Sequence, residues 1–414
     1  MTKSIQKSPL KILAILPALI PSSIILVVEP LLYLAKAKKV NLRVRLEGLY
    51  VSSLDLKWAD GIVFCRNTDP AFDPILEQVL MAHKPYIYEI DDNFFELPLD
   101  VNGGEYHRAP EQIAQLEKYL TNASLVRVYS LPMETRTRQY TSRVKLVKAP
   151  VNLSSIPAVP PHRNSERLKL VYTTSRSVED DLSQILVNDL KRILTEYADL
   201  IEVHFWGYVP KELKGYPSVK FHSFISDYKK YIQTFYQQGY DIGLAPMRND
   251  LFYRSKTNNK FREFGACWIA GIYSNSEIYA NCVEAGKTGL LVSNADGEWY
   301  KAILALMQDT SLRQAIQKNT RALVECECSL DPFASLLWED IQGIVEEVKA
   351  TADPKNNRTQ TSDPMDPGGI LVHKFQKVNE SVKTFGVIYT LGWMLRSVKR
   401  DLENLVLLWR IKKL

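Results

Sequence analysis

Along residues 10–345, short apolar runs alternate with longer stretches in which apolar residues recur every three to four positions. The short runs in the first half are KILAIL (11–16), NLRVRL (41–46), GIVFC (61–65), YIYEI (86–90), LVRVYS (125–130) and VKLVKA (144–149), and they predict strands. DPILEQVLMAHK and PEQIAQLEKYLTNA between them predict helices. Strands that are apolar almost throughout, not at every second position, are those of a parallel sheet covered on both faces. The alternation resumes with LKLVYTT (168–174), IEVHFWG (201–207), VKFHSFI (219–225), DIGLAPM (241–247), AGIYSN (270–275) and TGLLVS (288–293). Helical patterns fall at 179–197, 227–238, 259–269, 297–308, 310–325 and 331–350.

The stretch VNLSSIPAVPPHRNSE (151–166) breaks the pattern with Pro157, Pro160 and Pro161 and reads as a linker. The chain therefore divides into two Rossmann-like α/β domains, 1–155 and 166–345, whose strand ends are expected to face a central cleft. Residues 351–370 are polar and rich in proline and glycine, the composition of a disordered linker. Residues 371–414 read as a basic, amphipathic helical tail. Its longest apolar run, Phe385–Leu395, has 11 residues, against about 20 needed to span a bilayer. The apolar N-terminal stretch raises the thought of a signal segment, but Lys11, Pro17, Pro21 and Glu29 interrupt it. It reads as a strand, a loop over Pro21-Ser22-Ser23, then a helix.

Charge changes the picture only at the C-terminus. Residues 351–414 hold 11 Lys/Arg against 6 Asp/Glu, whereas residues 1–350 balance at 41 against 41. The body thus carries no excess that would attract nucleic acid, and any pull toward an anionic surface belongs to the tail. Trp393, Trp409 and seven basic residues suit either a helix lying on an anionic membrane or one docking on another protein. Five cysteines at 65, 267, 282, 326 and 328 form no even framework, which fits reduced thiols and a cytoplasmic location.

The densest chemistry lies in DIGLAPMRNDLFYRSKTNNKFREFGACWIAGIYS (241–274). A buried strand exits through Arg254, Ser255, Lys256, Asn258, Asn259 and Lys260 into a helix carrying Glu263 one turn in. Free N–H groups at a helix start, together with lysines and amides, suit a pyrophosphate. In the first half, YIYEIDD ends a strand on Asp91 and Asp92, which either orient hydroxyls and serve as a base or cap the segment that follows. His107 stands nearby in NGGEYHRAP. His83, His162, His204 and His222 show no ligand spacing, and no metal or other cofactor is expected.

The 241–292 stretch resembles the C-terminal half of a GT-B glycosyltransferase of the family 4 (group 1) type. That family places D-I-x-L-x-P, a phosphate loop, K-x-x-E-x-x-A-x-G and a closing T-G-x-L-V in this order. ADGIVFCR and KPYIYEIDDNFFELP resemble its first half, and the likeness covers about residues 10–345. The resemblance implies that Glu263 binds the ribose hydroxyls and that Lys256, Lys260, Arg254 and the two asparagines bind the diphosphate. Arg176 would reach the same phosphates, with Thr174 and Ser175 nearby. Gly207, Tyr208, Phe224 and Ile225 would wedge the base. Asp91 aligns with the position where many relatives carry a histidine touching the transferred sugar. Ser255 departs from the family, which has the first of two glutamates at that position, eight residues before the second, which Glu263 matches.

The resemblance further implies a nucleotide-sugar donor and hexosyl transfer with retention and without metal; the basic amphipathic tail, outside the resemblance, adds the expectation of a glycan or lipid-linked acceptor at the cytoplasmic membrane face. Two alternatives stay open: a nucleotide-sugar epimerase, and an inactive relative that binds nucleotide sugars or scaffolds glycan assembly.

Overall fold

The computed structural model describes residues 8–99, 103–162, 165–175, 181–351 and, near the C-terminus, 402, 404–406 and 408–409. Every expected strand is present. The first sheet contains β1 (Leu10–Leu16), β2 (Val40–Leu46), β3 (Gly61–Cys65), β4 (Tyr86–Ile90), β5 (Leu125–Val128) and β6 (Val144–Leu146). They are ordered β2-β1-β3-β4-β5-β6 and pair in parallel throughout. The second sheet contains β7 (Leu168–Thr173), β8 (Ile201–Trp206), β9 (Val219–His222), β10 (Ile242–Ala245), β11 (Ala270–Ser274) and β12 (Leu290–Val292). Its order is β12-β11-β10-β7-β8-β9, again all parallel.

Helices cover both faces, and for that reason all five residues of β3, of β4 and of β11 are buried. In the second sheet Leu170, Val203, Phe205 and Ile272 form one core with the Val187–Glu196 helix and with Trp299 and its neighbours on the Glu298–Gln308 helix.

The N-terminal helix starts earlier than the sequence predicts. Pro21–Ser23 is its first turn and not a loop, and it continues through Ile24–Val28 into Glu29–Lys36. Proline is at home there, because the first helical N–H has no partner in any case and the ring already fixes φ. The Ser23 hydroxyl accepts the Ile20 N–H at 3.1 Å.

Two compact units emerge. The first comprises residues 1–128, 133–147 and 334–414, and the second 129–132 and 148–333. Apart from the short excursion at 129–132, the chain passes between them at 148, just before the proline-rich stretch 151–166, and again at 334. Residues from Ala334 join the first unit through a buried row of charges. Glu89, Arg127 and Lys145 lie in register across β4, β5 and β6. Arg127 pairs with Glu89 at 3.2 Å and with Asp340 of the Leu330–Thr351 helix at 3.5 Å, while Lys145 reaches Asp340 at 2.5 Å.

The 351–370 linker, apart from Thr351, lies outside the described residues, as does most of the 371–414 tail. Among the described residues no helix is long and apolar enough to cross a membrane.

Candidate functional site

In the second unit the strand order reverses between the neighbours β7 and β10, and a crevice opens at the carboxyl ends of strands at such a point. β7 ends there on Thr173, and the loop after β10 leads into the Asn259–Ala266 helix. Phe261 and Phe264 anchor one face of that helix in the core. Its approach to β10 depends on Gly243, where a Cβ would fall 2.5 Å from the Phe264 ring.

The flank beside that face presents Lys260 and Glu263, three residues apart. Lys260 Nζ donates to Thr173 Oγ1 at 2.6 Å and to Glu263 Oε2 at 2.9 Å. Tyr231, from the Tyr228–Gln237 helix, donates its hydroxyl to the same Oε2 at 3.5 Å and lies 3.2 Å from Thr173 Oγ1. Burial, and then the charge of Glu263, push the Tyr231 phenol well up, so it stays a donor at neutral pH. Glu263 is only 7% exposed, yet its cation is its neighbour, which keeps a charged carboxylate affordable at this depth. Among the described residues no group bonds Oε1, which leaves one carboxylate oxygen to accept from a ligand.

The loop before this helix is held rigidly. Ser274 Oγ accepts the Met247 N–H at 2.7 Å and donates to Asn294 Oδ1 at 2.6 Å, and Asn294 Nδ2 returns to the Met247 carbonyl at 2.7 Å. Arg262 donates to the Pro150 carbonyl, to Asn259 Oδ1 and, at 3.1 Å, to Asn258 Oδ1.

In the first unit β3 and β4 are neighbours, and their exits place Arg66 beside Asp91 and Asp92. The guanidinium donates Nε to Asp91 and Nη2 to Asp92, the latter at 2.9 Å. Burial works against its charge, but Asp91 and then Asp92 outweigh it and raise the pKa. His107 stacks on Phe94 with ring centroids 4.6 Å apart, and its Nδ1 lies 3.5 Å from Thr68 Oγ1. Burial, followed by Arg66, lowers the His107 pKa, so the imidazole is neutral at pH 7.

No family model and no curated protein matches the sequence. Solved structures do match. HepE of Anabaena, described in complex with UDP and glucose, is 13% identical, with a TM-score of 0.57 over 81% of this chain and 100% of its own. A sucrose-phosphate synthase of Thermosynechococcus elongatus gives 14% identity and a TM-score of 0.61 over 81% of this chain and 100% of that one. A glycosyltransferase of Rickettsia africae gives 14% and 0.54 over 83% and 100%. The chain has the GT-B glycosyltransferase fold.

Within this GT-B fold the expected site residues separate into groups. Lys260 and Glu263 converge with Thr173 and Tyr231. Arg254 turns to Glu277 at 3.8 Å, and Lys256 Nζ sits over the Phe252 ring at 4.2 Å. Asn258 and Asn259 spend their carbonyl oxygens on Arg262. Ser255 is fully buried, and its hydroxyl donates to the Leu251 carbonyl at 2.6 Å. Gly207 follows β8 with φ of 88° and donates its N–H to the His222 carbonyl at 3.0 Å. Trp206 just before it meets Tyr231 edge-on at 5.7 Å. Phe224 is 48% exposed. Arg176 lies outside the described residues.

Asp91, Asp92 and His107 form one group in the first unit. Arg66, Thr68, Thr173 and Tyr231 are the members that sequence reading passed over. Arg66 ends the quoted ADGIVFCR, and Thr173 precedes the two hydroxyl residues already singled out, so position at a strand exit was the available signal.

Proposed function

We propose that the chain is a hexosyltransferase that uses a nucleoside-diphosphate sugar and transfers with retention, without a metal ion. The observation that carries this reading is Lys260 bridging Thr173 and Glu263 at the turning point of the second sheet. A cation beside a carboxylate, at the start of a helix with free N–H groups, matches a diphosphate next to a ribose. In the reaction the acceptor oxygen bonds to the anomeric carbon while that carbon's bond to the diphosphate oxygen breaks, and the acceptor proton passes to the departing phosphate. Lys260 would stabilise the negative charge that develops there, the main electrostatic demand when no metal does so. HepE is described with UDP and UDP-glucose, which makes uridine the first nucleotide to try.

A thermal-shift series against UDP-, GDP-, ADP- and TDP-sugars tests the reading. One nucleotide should raise the melting temperature, by an amount that grows with the logarithm of its concentration over Kd. No shift with any of them sinks the donor assignment. Ser255, buried and neutral where the family has its first glutamate, supports one second reading: an inactive nucleotide-sugar binder. Release of UDP by a stabilising donor in the presence of acceptor decides between the two.

The acceptor, in this reading, is a lipid-linked or polysaccharide precursor met at the cytoplasmic membrane face. Supporting this, Leu402, Leu405, Val406 and Trp409 recur at helical spacing and are all about half exposed. Asn404 is buried and accepts the Leu19 N–H at 3.2 Å, which fixes that helix to the first unit. The 11 basic residues beyond 350 supply attraction to anionic lipid. Deleting residues 371–414 should abolish pelleting with phosphatidylglycerol vesicles and leave UDP binding intact; undiminished pelleting removes the membrane assignment.

A further inference from the structure

We propose that Thr173 and Tyr231 are positioning residues whose two hydroxyls form a relay from Lys260 to Glu263. Thr173 aims the lysine at the diphosphate. Tyr231 aims the carboxylate at the ribose, and so sets the preference for ribose over deoxyribose. Both roles rest on the donor-site reading and assign each hydroxyl to one part of the nucleotide.

The order of donors is the first observation. Lys260 Nζ can only donate, so Thr173 Oγ1 accepts from it at 2.6 Å and keeps its own proton for another partner. The Tyr231 hydroxyl lies 3.2 Å from that oxygen and 3.5 Å from Glu263 Oε2. A carboxylate only accepts, so the Tyr231 proton points to Glu263 and the Thr173 proton to Tyr231. Lys260 closes the ring with its 2.9 Å bond to the same Oε2. Four groups from β7 and from the Tyr228–Gln237 and Asn259–Ala266 helices thus share one circuit, in which each hydroxyl both accepts and donates. Bonds linked in this way polarise and strengthen one another.

The second observation is the support of the Tyr231 ring. It meets Trp206 edge-on at 5.7 Å and lies against Phe235 at 5.4 Å and Tyr228 at 6.0 Å. Trp206 is itself pinned by its indole N–H, which donates to the Tyr240 hydroxyl at 2.8 Å. Aromatic packing therefore decides where the phenol oxygen stands, whatever bond that oxygen makes. Burial, followed by the Glu263 charge, keeps the proton on it.

The third is the division of labour at the two charged groups. Glu263 Oε2 takes a donor from its own helix and another from a neighbouring one, while Oε1 has none among the described residues. Two donors on one oxygen fix the rotation of the carboxylate, and with it the direction of Oε1. Without the phenol, Oε1 can turn to Lys260 and is lost to a ribose hydroxyl. Lys260 spends two of its three protons on Thr173 and Glu263, which leaves the third for a phosphate oxygen. Without the threonine hydroxyl, its ammonium follows Glu263 alone.

Calorimetry on the full chain tests this, with UDP, 2′-deoxy-UDP and inorganic pyrophosphate as probes. Tyr231→Phe keeps the ring and its packing. It should weaken UDP about threefold to tenfold, the effect of one hydrogen bond, and leave pyrophosphate within about twofold. The preference for UDP over 2′-deoxy-UDP should shrink with it. Thr173→Val keeps the shape and loses the hydroxyl. It should weaken UDP and pyrophosphate alike, by about threefold or more, and Thr173→Ser should restore both to within about twofold.

Unchanged UDP binding in Tyr231→Phe, an equal loss of pyrophosphate there, or no rescue by Thr173→Ser overturns the relay. Tyr231→Phe and Thr173→Ser both preserve packing, so refutation stays open if Thr173→Val fails to fold. A wild-type chain that binds none of the three probes sinks the donor reading instead. Melting temperatures without ligand then decide on the relay. Losses in Tyr231→Phe and Thr173→Ala that fall short of their sum in the double variant keep it, and additive losses overturn it.

Discussion

Lys260→Ala should lose about tenfold to a hundredfold in UDP affinity, the range expected for one charge-assisted contact of roughly 1.5–3 kcal/mol. The lower bound already exceeds the error of a calorimetric titration. Two effects act in the same direction. The phosphate loses its cation, and Glu263, whose Oε2 now accepts from Lys260 at 2.9 Å, is left as an unneutralised carboxylate near the same anion. Glu263→Ala should cost a similar factor for UDP but little for inorganic pyrophosphate, which has no ribose to bind. Lys260→Ala should weaken both ligands. That contrast separates a phosphate role from a ribose role, and equal loss of pyrophosphate binding in the two variants would show that Glu263 acts only through Lys260. In the double variant the losses should fall short of their sum, because the residues share a contact. Circular dichroism unchanged from wild type would confine the effect to the site. Wild-type affinity in both single variants would end the donor assignment.

Much of this arrangement was legible in the sequence, and the boundary of legibility has a physical cause. Strands β3, β4 and β11 are buried on both faces, so apart from Glu89 and Ser274 their residues are apolar or aromatic, and a run of that kind announces itself. Lys260 and Glu263 share a helix face by spacing alone. Leu251–Arg254 and Glu277–Ala280 did not show, because four residues cannot display a period of 3.6. Thr173 lies 87 residues from Lys260, and Tyr231 lies 32 from Glu263. Their meeting depends on β7 and β10 being neighbours, which is a fact of topology and not of local pattern. The same holds for Arg66: it reads as an ordinary strand-end residue until β3 is set against β4. Asn258 and Asn259 show the converse limit. Residue type offers their amides to a phosphate, whereas the fold gives their carbonyl oxygens to Arg262, a partner that the sequence places beside them without stating which atoms meet.

Arg127→Ala should destabilise the first unit by about 3–5 kcal/mol, because removing one member of a buried ion pair leaves the other charge in low dielectric. Arg127 and Glu89 are both wholly inaccessible, in register on adjacent central strands, in runs that are otherwise apolar. A charge at such a position survives only with partners, and Arg127 has Glu89 on one side and Asp340 on the other. Its loss removes the cation that faces both carboxylates, and Lys145 reaches Asp340. Urea denaturation at pH 7 reads the loss directly, and for a unit of this size the midpoint temperature should fall by about 10 °C. Replacing Glu89 and Arg127 together by leucine should cost much less than Arg127→Ala, since no charge is then stranded and Lys145 still serves Asp340. A single variant within about 1 kcal/mol of wild type, or a double variant worse than the single, would show that the row of charges does not hold the Leu330–Thr351 helix to the sheet as its geometry implies.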